Sequence, residues 1–480
     1  MQEVQNVELF INNKFVPAST KETFELSSPY TGEVVAKVAE ASVDDVNTAV
    51  LAAQASFPAW SAMSPLERGR PLKKLGEKIL AETQTLAGLE ALSMGRPVGG
   101  YFDATYASVH FNYFGEAGYA QGHTSLNTPG FLNMSLKQPF GVVGVIIPWN
   151  APLVFFSKKI APAVAAGNCV VLKSSEKAPM TSWKVAQWIE ECGFPPGVIN
   201  VICGHGQTSG NAMSMHMKIR VISFTGSTAT GRAIQIASAK SNLKKVVFEL
   251  GGKGPAIVFD DADIDAAVAA TEFSINYNSG QTCMANSRIY VQESIKKKFT
   301  EAFKRASSCR SLGDPSDPKV NHGPQADGAQ YNTVLKYIEL GKKSGSLVLD
   351  GTNEEAKHIV HPVVFTDQPE DAQIMKEEVF GPVVVINTFT EEQDVIDKAN
   401  DTEYGLYAAL FTKDLERAMR VSKKLESGMV GVNCASPTGS WDLPFGGYKG
   451  SGTGRESLLE SMDHFLENKS IYFKVSGIGG

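Results

Sequence analysis

A chain of 480 residues is too long for one hydrophobic core and is expected to divide into two or three packed units. With 43% hydrophobic and 20% charged residues it reads as globular, and a formal net charge of -6 argues against a nucleic-acid partner or an anionic membrane surface. The longest apolar stretch, Gly141 to Leu172, is broken by Pro148, Lys158, Lys159 and Pro162, which excludes a membrane span.

The N-terminus, Met1 to Phe10, carries two acids and no base and does not read as a secretory or mitochondrial signal. The next segments look like short strands and turns, Val7 to Ile11 and, after the Pro29/Gly32 turn, Val34 to Val38. Helices follow. Ser42 with Asp45 resembles a capping box, and Ser64, Pro65 and Glu67 supply a cap, a first-turn proline and an acid at the third position.

From Phe140 apolar runs recur at Val142–Ile147, Cys169–Leu172, Val198–Ile202, Val221–Phe224 and Val246–Leu250, with a helix-compatible segment in each gap. That alternation predicts βαβ units and a parallel sheet covered on both faces. A second series begins after Gly251–Gly252. Its helices are expected near Ile264–Asn278 and Ile295–Arg305, and its strands near Ile289–Val291, Val383–Ile386, Ala408–Phe411 and Met429–Val432. Residues 121–139 and the tail after about Ser461 fit neither series. The alternating stretch Ser470 to Val475 reads as a strand with no obvious partner in its own sheets. Cys169, Cys192, Cys203, Cys283, Cys309 and Cys434 lie far apart, which suits free thiols in a reducing compartment, the cytoplasm. No metal site is expected.

Four segments carry candidate chemistry. Asn278-Ser279-Gly280-Gln281-Thr282-Cys283 places a cysteine in a turn where backbone N–H groups can stabilise a thiolate; taken alone, a small buried core residue is the commoner reading. Phe248-Glu249-Leu250-Gly251-Gly252-Lys253 places a carboxylate at a strand end, either a general base or a capping group. Pro148-Trp149-Asn150 fixes an amide that either donates to an oxyanion or closes an Asx turn. Phe224-Thr225-Gly226-Ser227 leads from a strand into a helix, where backbone N–H groups can hold a pyrophosphate, but it lacks the full G-x-G-x-x-G spacing.

Taken together and in order, these segments resemble the signature blocks of the aldehyde dehydrogenase superfamily. Lys173-Ser174-Ser175-Glu176, Glu378-Val379-Phe380-Gly381-Pro382 and Pro444-Phe445-Gly446-Gly447 complete the set, and the resemblance spans essentially the whole chain. It implies an α/β fold with a Rossmann-like cofactor domain (1–120 and 140–250), a second α/β catalytic domain (251–450) and a small β oligomerisation arm (121–139 and 461–480). It implies Cys283 as nucleophile, Glu249 as the base that activates water, and Asn150 with the Cys283 N–H as oxyanion hole. Lys159 and Phe445 stand at family-typical positions beside the site, Lys159 among the catalytic residues. The implied cofactor is NAD, with NADP possible. Lys173 and Glu176 would hold its adenosine ribose, Ser227 its pyrophosphate, and Glu378 its nicotinamide ribose, with Phe380 and Trp149 beside it. Ile146, Gly206, Phe224, Gly226, Leu250 and Gly251 complete that cofactor surface.

The implied reaction oxidises an aldehyde to a carboxylic acid through a cysteine thiohemiacetal and thioester, in a homodimer or homotetramer. The presence of a base at Glu249 argues against an acylating enzyme, and the intact nucleophile argues against a purely structural relative. Val154, Phe155, Met284, Trp441 and Phe445 are expected to line an apolar tunnel for an aromatic or medium-length aldehyde, in which case Phe155 and Phe156 compete for the tunnel and the core. Pro148-Trp149-Asn150-Ala151-Pro152 with Cys283-Met284 is similar to benzaldehyde- and salicylaldehyde-type relatives. Two departures stand out: Ser174 replaces a frequent proline, and Lys158 replaces an apolar or aromatic tunnel residue. Lys158 is expected to snorkel to solvent or to meet a polar substrate; with Asp442 it marks the alternative, a semialdehyde substrate.

Overall fold

The computed structural model describes residues 4–351 and 358–475. The five runs after Phe140 become the strands Val142–Ile146, Cys169–Ser174, Ile199–Cys203, Ile219–Thr225 and Lys245–Glu249, parallel neighbours in an eight-stranded sheet. Both faces of the central strands are covered, so they read as continuous apolar runs rather than as alternation. Across the sheet the order is Lys245–Glu249, Ile219–Thr225, Val142–Ile146, Cys169–Ser174, Ile199–Cys203. Strand order therefore reverses between Val142–Ile146 and Ile219–Thr225. A crevice opens beyond the carboxyl ends of strands at such a point, where open α/β sheets bind ligands.

A seven-stranded sheet carries the second series, in the order Ser346–Leu349, Val363–Thr366, Val383–Phe389, Arg288–Gln292, Pro255–Val258, Tyr407–Phe411, Met429–Val432. All its pairs are parallel except the edge pair of Ser346–Leu349 with Val363–Thr366. Three of these strands, Pro255–Val258, Ser346–Leu349 and Val363–Thr366, escape the sequence pattern. Each has four residues, and tertiary neighbours decide them. After this sheet is complete, Gly452–Thr453 returns to pair antiparallel with Lys245–Glu249.

The N-terminal run divides into Gln5–Val7 and Leu9–Ile11 rather than forming one strand. The first joins Val34–Ala39 and the second joins the eight-stranded sheet, so one short segment serves two sheets. Helices Val43–Ala62 and Pro65–Ala81 start at the expected capping boxes. Ser42 and Ser64 each accept from the backbone three residues on, and Asp45 and Glu67 bond back. Losing such a cap costs about 0.5–2 kcal/mol.

Helix Pro152–Ala165 is buried on nearly every side, packed between the sheet and helices Pro65–Ala81 and Asp103–Ala117. Phe156 enters the core beside Phe111, whereas Phe155 turns toward a cavity. Just beyond it, buried Asn168 accepts from Gly141 N (2.9 Å) and donates to Phe465 O (2.9 Å), tying the first strand of the sheet to the base of the tail. The tail strand Leu466–Lys474 does have a partner in its own chain. It pairs antiparallel along its whole length with Phe131–Pro139, which Thr124–Ser125 flanks on the other side. Segments 121–139 and 466–474 thus share one small sheet; residues 476–480 of the expected arm lie outside the described residues. No helix among the described residues is long and apolar enough to cross a membrane.

Candidate active site

Helix Ile264–Asn276 stops short of its expected end because Asn278, Ser279 and Gly280 adopt left-handed backbone, with φ of 50°, 55° and 79°. Side chains rarely accept this region, so the surroundings must hold it. Ser279 Oγ donates to Gly323 O (2.8 Å) and accepts from Gly323 N (3.0 Å). Gln325 Nε2 donates to Ser279 O (3.1 Å), and Gln281 Oε1 accepts from Ala326 N (2.9 Å). At Gly280 a side chain is impossible: a Cβ would stand 2.1 Å from the Gly381 carbonyl carbon. The turn delivers Cys283, half-buried, to the crevice between the two sheets.

Asn150, 7% exposed, donates through Nδ2 to the Gln281 carbonyl (3.0 Å), and Asn278 Nδ2 donates to the Asn150 carbonyl (3.0 Å). One amide N–H of Asn150 is thereby engaged and the other remains. Asn150 and Cys283 together line both an inner cavity of about 240 Å³ and a neighbouring one of about 270 Å³. Glu249 ends its strand at the inner cavity, 2% exposed, and neither carboxylate oxygen has a well-aligned donor among the described residues. Burial raises its carboxyl; Lys158, the neighbouring Cys283 thiol and Lys159 pull it down. For Cys283, burial and then the Glu249 charge outweigh the pull of Lys158 and hold the thiol well above its ordinary value, so the resting sulfur keeps its proton.

The inner cavity continues into a groove of about 1500 Å³ at the reversal of strand order. Ile146, Trp149, Lys173, Glu176, Gly206, Phe224, Gly226 and Ser227 all line this groove. Leu250, Gly251, Glu378 and Phe380 line the inner cavity. The groove fits a dinucleotide. Lys173 lies 3.7 Å from Glu176 at one end, and helix Thr228–Lys240 begins at Ser227 in the middle. At the inner end Glu378 Oε1 accepts from Gly252 N (2.8 Å), and a Cβ on Gly251 would stand 2.5 Å from Glu378 Oε2. Trp149 meets Phe380 edge to face at 5.3 Å.

The 270 Å³ cavity lies on the other side of Cys283, and Val154, Phe155, Lys158, Met284, Trp441 and Phe445 all line it. Lys158 does not snorkel to solvent. It is 4% exposed, with Nζ 3.1 Å from Glu456 Oε2 and 3.4 Å from the centre of the Phe445 ring. An aliphatic stem this deep between Phe155 and Phe445 cannot reach water, and Glu456 supplies the counter-charge instead. Lys159 stands behind the cavity wall, fully buried, donating to Ser223 Oγ (3.0 Å) and Glu456 Oε1 (2.8 Å). It lines neither cavity at Cys283. Burial pushes Glu456 up, but the two ammonium groups outweigh it and hold the carboxyl down at about 2. Asp442 is exposed and does not line this cavity.

Sequence reasoning missed Arg96, Tyr106, His110, Tyr277 and Glu456, which also line this cavity. Tyr106 and His110, four apart on helix Asp103–Ala117, share a face, and that spacing was a usable signal. Glu456, in a loop of the returning chain, carried none.

The reversal of strand order and the groove at it define a dinucleotide-binding protein of the doubly wound α/β class. A model of the aldehyde dehydrogenase family matches residues 15–471. An aldehyde dehydrogenase of Alternaria alternata is 43% identical over 476 residues, 98% of this chain and 96% of that protein. The human mitochondrial aldehyde dehydrogenase is 41% identical over 478 residues, 98% and 92% of the two chains. Among solved structures, a cysteine-to-alanine mutant of the P. syringae indole-3-acetaldehyde dehydrogenase AldA, in complex with NAD+ and IAA, superposes with a TM-score of 0.95. It is 36% identical, covering 98% of this chain and 97% of that one. The chain belongs to the aldehyde dehydrogenase family, NAD(P)-dependent oxidoreductases that oxidise aldehydes.

Glu378 offers a test of the inner cavity's electrostatics. Burial raises its carboxyl to about 7 from an ordinary 4.5, against the Gly252 N–H bond. A carboxyl that binds its proton more tightly folded than unfolded loses stability as pH rises from about 4.5 to about 7 and stays less stable above. Glu378→Gln is expected to raise the melting temperature of the cofactor-free protein at pH 8, and the gain should shrink as pH falls through 7 toward 5. Thermal melts across this range would contradict the assignment if the offset were the same at every pH.

Proposed function

We propose that this enzyme oxidises an aromatic or medium-length apolar aldehyde to the carboxylic acid, with NAD as the preferred hydride acceptor, through covalent intermediates on Cys283. The observation that carries this reading is the meeting of Cys283, Glu249 and Asn150 where the dinucleotide groove joins the apolar cavity. The thiol proton passes to Glu249 as Cys283 Sγ bonds to the aldehyde carbon. Asn150 Nδ2 and the Cys283 N–H donate to the resulting oxyanion, each such donor being worth about 3 kcal/mol. NAD, when bound along the groove, supplies the hydride acceptor. Loss of hydride leaves a thioester on Cys283. Glu249 releases the thiol proton to solvent and then takes a proton from water as the water oxygen attacks the thioester carbon; the C–S bond breaks, the leaving thiolate takes that proton back from Glu249, and the acid departs.

Glu176 at the groove end suits the ribose hydroxyls of NAD, and its charge disfavours a 2′-phosphate; Lys173 beside it leaves room for some use of NADP. The division of labour assigns 1–120 and 140–250 to the cofactor, 251–450 to catalysis, and 121–139 with 461–480 to assembly as a homodimer or homotetramer. Exposed Tyr472 and Phe473 on the tail strand support that last role. All six thiols are free, which suits a reducing compartment, the cytoplasm in this reading, although several relatives are mitochondrial. Lys158 favours a second reading, a semialdehyde whose own polar end reaches the cavity.

Cys283→Ala is expected to abolish hydride transfer, whereas Glu249→Gln should release one equivalent of NADH and then stall as thioester; rapid-mixing absorbance distinguishes the two, and near-normal steady turnover by Glu249→Gln would remove Glu249 from the mechanism. In steady state, NAD should give the higher kcat/KM, and benzaldehyde or hexanal should exceed succinic semialdehyde. A tenfold advantage for the semialdehyde, about 1.4 kcal/mol in transition-state binding, would instead establish the second reading. Deleting residues 468–480 should yield monomers or aggregates, so an unchanged mass in light scattering would refute the assembly role.

A further inference from the structure

We infer that Arg96 is a positioning residue for the nucleophile: it clamps Tyr277, the last residue before the cysteine turn, and so fixes where Cys283 stands against Asn150. The inference rests on the roles given to Cys283 and Asn150 above and adds the part that keeps them in register.

Three consecutive residues at the end of helix Thr83–Met94 meet three parts of the site. Met94, fully buried, packs with Ala178, Ala326 and the Trp149 that precedes Asn150. Gly95 closes the helix in left-handed backbone, with φ of 78°, and lies against the segment that braces the turn. A Cβ on Gly95 would stand 2.4 Å from Pro324 Cγ, and one on Gly323 would stand 2.2 Å from Gly95 O. Arg96, 5% exposed, reaches the turn itself. Its Nη2 donates to Tyr277 Oη at 2.8 Å, and its guanidinium stands 5.8 Å from the centre of that ring. Tyr277 leaves helix Ile264–Asn276 with φ of −58° and ψ of 132°, and the three left-handed residues follow at once.

Arg96 is itself held. Its Nη1 and Nη2 donate to Asp103 Oδ2 and Oδ1 at 2.5 and 2.7 Å, a two-pronged pair that fixes the plane of the guanidinium, and Glu90 Oε2 lies 3.5 Å from Nη1. Asp103 opens the helix that carries Tyr106 and His110 along the cavity wall. Burial, and then the Asp103 charge, push the Glu90 carboxyl up to about 8 against the pull of Arg96, so Asp103 supplies the counter-charge and the cluster is neutral. Although Arg96 lines the cavity, all four of its Nη N–H groups are engaged, so the fork that would grip a substrate carboxylate is occupied. What remains is geometry. A hydrogen bond at the entrance of a strained turn selects one placement of the residues after it, and a displacement of about 1 Å at a reacting atom costs up to about a hundredfold in rate.

The test is Tyr277→Phe, which keeps the ring and leaves Arg96 on Asp103, with Arg96→Met and the double variant beside it. At saturating NAD and aldehyde, NADH formation in the first turnover should slow at least about tenfold in each single variant. NAD affinity, read by quenching of protein fluorescence, should stay within about twofold of wild type. The double variant should be no slower than the slower single, because both substitutions remove the same bond. A positioning loss is the same for acetaldehyde, hexanal and benzaldehyde. Loss confined to the larger aldehydes would make Tyr277 a substrate contact and overturn the inference. So would first-turnover rates within about twofold of wild type, or single losses that multiply in the double variant. If Arg96→Met, which strands Asp103 without its counter-charge, does not fold, Tyr277→Phe across the three aldehydes decides. A full first turnover by Cys283→Ala defeats the nucleophile assignment beneath, whereas an unaffected Tyr277→Phe beside an inactive Cys283→Ala defeats this inference alone.

Discussion

The arrangement depends on keeping a carboxylate out of water without pairing it. Glu249 is buried beside the cysteine with neither oxygen held by a well-aligned donor, a state that in isolation would force the group to stay protonated. The compensation is spread over a buried charge cluster. Lys158 and Lys159 share Glu456, so two ammonium groups meet one paired carboxylate and leave one positive charge in excess. That excess is what Glu249 faces, and it pulls the carboxyl back toward ionisation without occupying its lone pairs. A direct ion pair would have stabilised the charge more and blunted it as a base.

The same economy shapes the cysteine turn. A reactive thiol must stand at the seam between the two sheets, and a regular helix end would not put it there. Three successive left-handed residues do, and their cost is met by a separate segment, 322–326, which bonds to Ser279 and Gln281. Gln281 also holds Asn150 from the far sheet through its carbonyl. One residue therefore links the turn, its outside support and the amide beside the cavity, so a shift in any of these moves the other two.

The cavity beyond the cysteine is composite in a different way. Helix Asp103–Ala117, helix Pro152–Ala165 and the loop around Trp441 each supply part of its wall, and none adjoins the others in sequence. Substrate preference can therefore change through the first helix and the loop, while the helix shared with the core, where Phe156 packs a residue away from Phe155, stays constrained.

Much of this protein was determined by its sequence alone. The continuous apolar runs from Val142 to Leu250 encode a parallel sheet because both its faces are buried, and the capping boxes at Ser42 and Ser64 encode helix starts because their hydrogen bonds are local. The groove residues at strand ends were legible for the same reason, since a strand followed by glycine and a helix start defines its own ligand edge. Only the tertiary structure decided the rest. Tertiary neighbours decide strands such as Pro255–Val258, and the tail found its partner in Phe131–Pro139, more than three hundred residues away. Lys158, read from sequence as reaching either solvent or a polar substrate, is buried because Glu456 arrives from the returning chain to neutralise it. Periodicity and capping are short-range physics and are written locally; charge compensation in a buried cluster depends on which distant segments meet, and only the folded chain brings them together.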